Sequence, residues 1–301
     1  MLASEIGSNL AGRFLSFSIL PFDFQEYVRY AGVSVANQSE FYRQHEQIRH
    51  YFNRYLKYGG LPEICAIQSE HACFSYLEGI LSKVMLDDII ARFKIKHPLV
   101  VEKMLWYLLA GIGNQVSFAR IASYLKQAGI TIKQETLIKY VQHIRAAFAL
   151  YEVSKFDWKL GKVFATSRKY YAVDTGLVNL YPGTTSNYGK QLENIVFLKL
   201  QRQQQPIYFG AANGGKEIDF IVQTRQGGFD KYQVTQTLHD ANANREYAPF
   251  GLTNGYNPIS RQPQSDITLL CCFVSYAASA FAHKRMSSIT LVRFNICQRG
   301  G

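Results

Sequence analysis

A chain of 301 residues that is 48% hydrophobic and 14% aromatic can bury substantial cores, which excludes a disordered or low-complexity protein and favours two or three domains. Its formal charge of +11 points to nucleic acid first, and an anionic membrane second, as partners that charge alone would attract. Five cysteines, at 65, 73, 271, 272 and 297, form no C-x-x-C pair, so neither zinc nor a disulfide framework is expected and a reducing cytoplasm fits best.

The start, MLASEIGSNLAGRF, carries Glu5 and lacks the basic-then-apolar order of a signal peptide. Residues 40–56 (EFYRQHEQIRHYFNRYL) place charges and aromatics at helical spacing, and KYGGLPEI then stops the helix with two glycines and a proline. Further helices are predicted over about 70–91 and 98–113, Pro98 suiting a first turn and glycine an end. His45, His50 and His71 have no i,i+4 partner and read as solvated or capping side chains rather than metal ligands.

Ser117 opens a short amphipathic helix; GIT breaks it, and Thr131 is expected to cap a second helix, with Glu135 near the capping-box position. Two short helices about a small turn form a helix-turn-helix pattern. The alternating segments YEVSKFD, WKLGKVFA and KYYAVD around Gly161 read as a β-wing. Along this unit lie Arg120, Lys126, Lys133, Lys139, His143, Arg145, Lys155, Lys159, Lys162, Arg168 and Lys169, enough positive charge for several phosphate contacts. The same residues also suit the solvated face of a module that only packs against protein.

From 189, GKQLENIVFLKLQRQ reads as a helix. The next stretch, IYFGAANGGKEIDFIV, contains the P-loop skeleton G-x-x-x-x-G-K, but Glu217 stands where the magnesium-holding hydroxyl belongs and EIDFIV reads as a strand. A β-hairpin with a glycine-rich loop is therefore expected. With KYQVTQTL as a third strand, the α-β-β-β order brings Glu193, Asp219 and the middle of the last strand to one sheet edge, the layout of metal-dependent nucleases. Such enzymes hold magnesium with paired carboxylates and use a lysine to position water or stabilise charge. Here the last-strand places hold Gln233 and Thr235, so the metal site is expected to be degenerate even if Glu217 substitutes in part, and Asp219 reads as a structural remnant or a hairpin hydrogen-bonder.

Taken together, LAGRFLSFSILPFDFQEY (10–27), YLKYGGLPEI (55–64), DDIIARFKI (87–95), YAVDTGLVNL (171–180), GKQLENIVFLKL (189–200), KEIDFIV (216–222) and YQVTQTL (232–238) resemble, in order and spacing, the C-terminal part of the prokaryotic AAA-family ATPases. These carry a P-loop core, a helical lid and winged helix, and a domain of unknown function with a restriction-endonuclease-like fold. The resemblance implies an α+β multidomain chain: residues 1–30 a remnant of the ATPase core, 31–98 the lid, 99–182 the winged helix, and 183–248 the degenerate endonuclease-like domain. Arg13 matches an arginine that the resemblance places near nucleotide, and ATP and magnesium serve the intact family members. The P-loop would lie before Met1, so no cofactor is expected for this chain and it is expected not to hydrolyse ATP.

Residues 249–301 are unlike the family. They carry five basic residues against one acid, a +4 share of the total, and resemble out-of-frame translation. The longest uncharged run, ITLLCCFVSYAASAFA, lies in this tail and has 16 residues, short of the ~20 that a membrane helix needs, so no membrane partner is expected. Three functions remain open: a DNA-binding, catalytically inactive ATPase-family fragment; an interaction module for a protein partner or a further copy; and a magnesium-dependent nuclease centred on Asp219.

Overall fold

The computed structural model describes residues 17–35, 38–157, 162–181, 188–211, 217–235 and 289–293. Helix α1 (Phe24–Tyr30) begins with a reciprocal capping box: Asp23 Oδ1 accepts the Glu26 amide at 2.9 Å, and Glu26 Oε2 accepts the Asp23 amide at 2.8 Å. The segment expected as one helix over 40–56 is two, α2 (Gln38–Arg43) and α3 (His45–Tyr58). Ile48, Phe52, Tyr55 and Leu56 make the buried stripe of α3, and Gly59, at φ +83°, ends it in a conformation that a Cβ would strain.

The one-turn α4 (Pro62–Ala66) follows, then α5 (Glu70–Lys83), capped by Ser69 and buried along Cys73, Leu77 and Leu81. The helix predicted to run to residue 91 widens into a π-helical segment over Val84–Ala91. In α6 (Pro98–Ala110), Pro98 stands at the start and Gly111 at the end, as the sequence indicates. Helices α7 (Phe118–Gln127) and α8 (Gln134–Ala146) form the expected short pair. Ser117 does cap α7, through the Arg120 amide, but Thr131 caps nothing: α8 starts three residues later, with Lys133 at the cap position and no side-chain cap bond. The turn after α7 lies at residues 128 and 129, and residues 130–133 belong to no helix or strand.

Strands β1 (Leu150–Asp157) and β2 (Lys162–Ala172) pair antiparallel from Leu150↔Ala172 to Asp157↔Lys162, with a register shift at Ser154/Lys155. The segments read as separate pieces over 162–172 are one long strand. Val116, just before α7, forms an isolated antiparallel bridge with Arg168 of β2. The turn α9 (Thr175–Asn179) and helix α10 (Tyr188–Gln201) lead to β3 (Ile207–Ala211), β4 (Glu217–Gln223) and β5 (Phe229–Thr235). Within the tail, β6 (Ile289–Arg293) lies parallel to β5; the rest of residues 249–301 falls outside the described residues.

The strands form one mixed sheet, ordered β2-β1-β3-β4-β5-β6, because β1 pairs parallel with β3 as well as antiparallel with β2. One core collects α5 to α9 around Leu105, Leu108 and Leu137; a second lies between α1, α3 and α10 and the sheet, around Tyr27, Tyr55, Val196, Phe197 and Phe220. Lys199 to Asp23 at 2.9 Å and Arg202 to Glu26 at 2.9 Å fasten α1 to α10 beside that core. The architecture is thus mixed α+β. No helix among the described residues is long and apolar enough to cross a membrane.

Candidate functional site

The β3–β4 pair settles the geometry of the glycine-rich stretch. Gly210 lies in β3 and Glu217 opens the antiparallel β4, so a hairpin, not a strand-to-helix turn, carries the G-x-x-x-x-G-K spacing; residues 212–216 lie outside the described residues. Along β4 the register slips: Tyr208 faces Ile221 while Gly210 faces Ile218, so β4 carries one extra residue. Glu217 and Asp219 lie on one face by alternation, and the extra residue brings Phe220 and Val222 onto that face too, against α10, while Ile218 and Ile221 pack together with Phe156.

At this place the structure gathers a charge cluster built on Lys169, whose side chain is 0% exposed. Its Nζ lies 2.6 Å from Glu217 Oε1, 3.1 Å from Glu193 Oε1 and 3.9 Å from Asp219 Oδ1. Tyr171, on the same face of β2, donates its hydroxyl to Glu193 Oε1 at 2.6 Å, and Lys190, one helical turn before Glu193, reaches Glu193 Oε2 at 2.8 Å and donates to the Gly113 carbonyl at 3.0 Å. Gln115 Nε2 donates to Glu217 Oε2 at 2.6 Å and is itself held by the Ser167 hydroxyl at 3.0 Å. The Val234 amide of β5 donates to Asp219 Oδ2 at 2.9 Å. Five parts of the chain therefore meet at one buried lysine.

Electrostatics set the charge states. Burial opposes a charged Lys169, but Glu193, Asp219 and Glu217 around it outweigh burial and raise its pKa above the ordinary lysine range. Burial would also raise Glu193; the two lysines and the Tyr171 hydroxyl reverse that and hold it below the usual carboxylate range. For Asp219, burial and then the Glu193 charge dominate over Lys169, and the carboxyl is pushed up to about 7.

Of the residues expected at a nuclease site, Glu193, Glu217 and Asp219 do come together. Gln233 does not join them: Tyr232 and Val234 pack toward α10, so alternation turns Gln233 to the opposite face, where its Oε1 is buried with no hydrogen-bond partner among the described residues. Thr235 lies at the end of β5, paired in register with Arg293. Magnesium does not fit this arrangement, because an ammonium group stands where the carboxylate oxygens converge, and among the described residues no group of three or more His, Cys, Asp or Glu is placed to hold a metal ion.

The basic residues divide. Arg120, Lys126, Lys133 and Lys139 are exposed on the α7–α8 pair. Arg145 is spent on Glu152 at 3.3 Å, as is Arg168 at 3.2 Å, the latter also lying over the Phe118 ring. Lys169, read from the sequence as one more phosphate-contacting cation, is instead the buried centre of the cluster. The signal that could have found it is the KYY alternation, which puts Lys169 on the same strand face as Tyr171. His143 stacks on Phe93 at 3.9 Å, and burial first, then Lys139, lowers its pKa. Lys162 opens β2 opposite Asp157, while Lys159 and Arg13 lie outside the described residues.

A second buried knot joins three of the sequence words. Asp174 Oδ2 accepts the Gly60 amide at 2.7 Å and Oδ1 the Gly176 amide at 2.8 Å. Thr175 donates to the Tyr55 carbonyl at 3.1 Å, Asn179 to the Leu56 and Lys57 carbonyls at 2.9 and 2.8 Å, and Gln191 to Asn179 at 2.6 Å. A Cβ on Gly176 would overlap the Tyr58 carbonyl, and one on Gly59 the Asp174 carboxylate, so both glycines are needed for the close approach. YGGLPE, VDTGLVN and GKQLEN are thus words of packing.

Residues 49–187 match the family model of a domain of unknown function, DUF8612. The match contains Lys169 and Asp174 and stops before α10 and the carboxylates. The chain is 27% identical over 249 residues to Uncharacterized protein MJ1544 of Methanocaldococcus jannaschii, covering 82% of this chain and 55% of that protein. It is 28% identical over 223 residues to an uncharacterized protein of Haemophilus influenzae, covering 74% of this chain and 53% of the relative. The chain therefore spans about half the length of these curated relatives. No solved structure matches it.

Proposed function

We propose that this chain is a DNA-engaging, non-cleaving module of an ATPase-family protein: a winged helix over residues 98–172, preceded by a helical lid and joined to an endonuclease-like unit that begins at α10. The observation that carries the reading is the order helix α6, bridged Val116, helices α7 and α8, then the β1–β2 ribbon, with Val116 paired to Arg168 as the short third strand of a wing. Arg120, Lys126, Lys133 and Lys139 supply exposed positive charge on that unit. In this reading ATP chemistry belongs to the P-loop core of the family that the chain resembles, and no described residue is assigned to it. The endonuclease-like unit is read as inactive because Gln233 and Thr235 replace the acid and lysine and Lys169 closes the carboxylate cluster.

The test is binding of a labelled DNA duplex by fluorescence anisotropy at two salt concentrations. Four phosphate contacts give a salt slope of about −3.6, so affinity should fall about 150-fold between about 50 and 200 mM salt, and only about 12-fold for K133A/K139A, with two contacts left. Binding that ignores both salt and these lysines would remove the reading. An interaction module is the second reading, favoured by Phe17 and Ile19, which stand 82% and 95% exposed. Sedimentation of the chain and of F17S/I19S distinguishes it: self-association lost in the variant would favour that role.

A further inference from the structure

We propose that the opening between β1 and the start of β3 receives an extended, uncharged peptide segment, and that the segment it takes is Phe17–Leu20 of a second copy of this chain.

The opening has a local cause. Strand β1 pairs with β2 from Leu150 to Asp157 but with β3 only at Ser154, Lys155 and Phe156. The chain arriving from α10 reads QQQP over 203–206; Gln204 stands at φ +53° and Pro206 has no N–H to give a ladder, so this stretch parts from β1. A cavity of about 370 Å³ lies between them, with Leu150, Tyr151 and Val153 on one wall and Gln205, Pro206 and Ile207 on the other. A strand paired on one side turns alternate N–H and C=O groups to the other, so the first residues of β1 present a short unpaired edge here. An extended peptide answers both the backbone edge and the side-chain cavity.

The groove continues, through Phe148, Tyr151 and Gln201, into a second cavity of about 410 Å³ that reaches Ser18 and Leu20. At the junction Phe148 is 51% exposed and stands at φ +56°, a conformation rare for a bulky side chain, with its ring on the groove rather than in a core. The rim charges are already matched, Arg145 to Glu152 at 3.3 Å and Arg202 to Glu26 at 2.9 Å, which suits an occupant without charge. Such a segment stands on the same rim. Phe17–Leu20 belongs to no helix or strand and carries no charge; Ser18 and Leu20 face the groove, while Phe17 and Ile19 stand 82% and 95% exposed, the two-residue alternation of extended chain. With segment and groove side by side, one two-fold axis brings each copy's Phe17 and Ile19 to the other's groove and closes the assembly as a dimer. This contact rests on the interaction reading of the chain and supplies its receiving surface.

Sedimentation velocity of the full chain over rising micromolar concentrations tests it, beside F17S/I19S, F148G and Q205W, with binding of a fluorescein-labelled peptide FSILPF followed by anisotropy. F148G removes the ring yet keeps the fold, because glycine adopts φ +56° freely, and Q205W fills the cavity. The wild type is expected to dimerise, and each variant to weaken the dimer by more than about tenfold, as loss of a central anchor does. The peptide should bind F17S/I19S, whose groove is intact, but not Q205W. Association lost in F17S/I19S yet unchanged in both F148G and Q205W would overturn the receiving groove while leaving the interaction reading in place. A monomeric wild type that takes the peptide in this groove would overturn the second copy as its occupant. A monomeric wild type that binds no peptide would overturn the groove and self-association together.

Discussion

Replacing Asp174 by alanine tests whether the segments that meet at its carboxylate act as a packing knot. The substitution strips the acceptor from two amides, Gly60 and Gly176, that are bonded at 2.7 and 2.8 Å. A buried donor left without a partner costs about 1–3 kcal/mol, so two cost about 2–6 kcal/mol; the N-cap of α9 is the same Gly176 bond and is not counted again. Against this stands the cost of burying the carboxylate itself: burial outweighs the two amide bonds and pushes the Asp174 carboxyl up to about 6. Removing it returns part of that, which leaves a net loss of about 2–4 kcal/mol near pH 7.5, a large share of an ordinary domain's about 5–15 kcal/mol. Urea unfolding followed by far-UV circular dichroism reads the difference. The sign with pH is fixed by the raised folded pKa: the stability contributed by Asp174 is full below about pH 4 and lost as pH rises through about 6, so the deficit of D174A should be larger at pH 5 than at pH 7.5. D174N, which keeps one acceptor, should fall between the two proteins. A D174A chain within about 0.5 kcal/mol of wild type, the range of an ordinary surface substitution, would refute the reasoning.

D219N removes a carboxyl whose folded pKa is raised to about 7, so its stabilising share is present below about pH 4 and lost as pH rises through 7; the variant should gain on the wild type between pH 5 and pH 8, and parallel pH profiles in chemical unfolding would contradict that. Y171F deletes the hydroxyl bonded at 2.6 Å to Glu193 while keeping the ring stacked on Phe197, and should cost about 1.5–3 kcal/mol, a charge-assisted bond's worth, in urea unfolding. G176A should be worse than Y171F, because its Cβ meets the Tyr58 backbone carbonyl rather than a side chain that can swing away; a Tm equal to the wild type would show that α9 can shift freely.

Much of the fold was legible locally. Pro98 and Ser117 mark helix starts, Gly59 and Gly111 mark ends, and the apolar spacing of α3 and α6 declares their buried faces, because caps and periodicity act over three or four residues. Thr131 misled for a local reason as well: a threonine before a helical run suits a cap, yet α8 begins at Gln134 and Lys133 takes the cap position. The π-helical widening after Lys83 leaves no composition signal, since it depends on what the segment packs against.

The site was half legible. From the α-β-β-β order alone, Glu193 and Asp219 were expected together with the middle of the last strand; the two acids do meet, joined by Glu217, whereas Gln233 turns to the other face, and the G-x-x-x-x-G-K spacing sits in the expected hairpin. That Lys169, 24 residues from Glu193, becomes the cluster's cation is visible in the fold alone. The cause is that β1 pairs with β2 on one side and β3 on the other, which joins β2 and the β3–β4 pair in one sheet, while α10 packs on it and brings Glu193 to Lys169. Charge on a strand reads as solvated until its tertiary neighbours are known; here α10 and β4, distant in sequence and not paired with β2, supply the counter-charges, and the lysine faces inward.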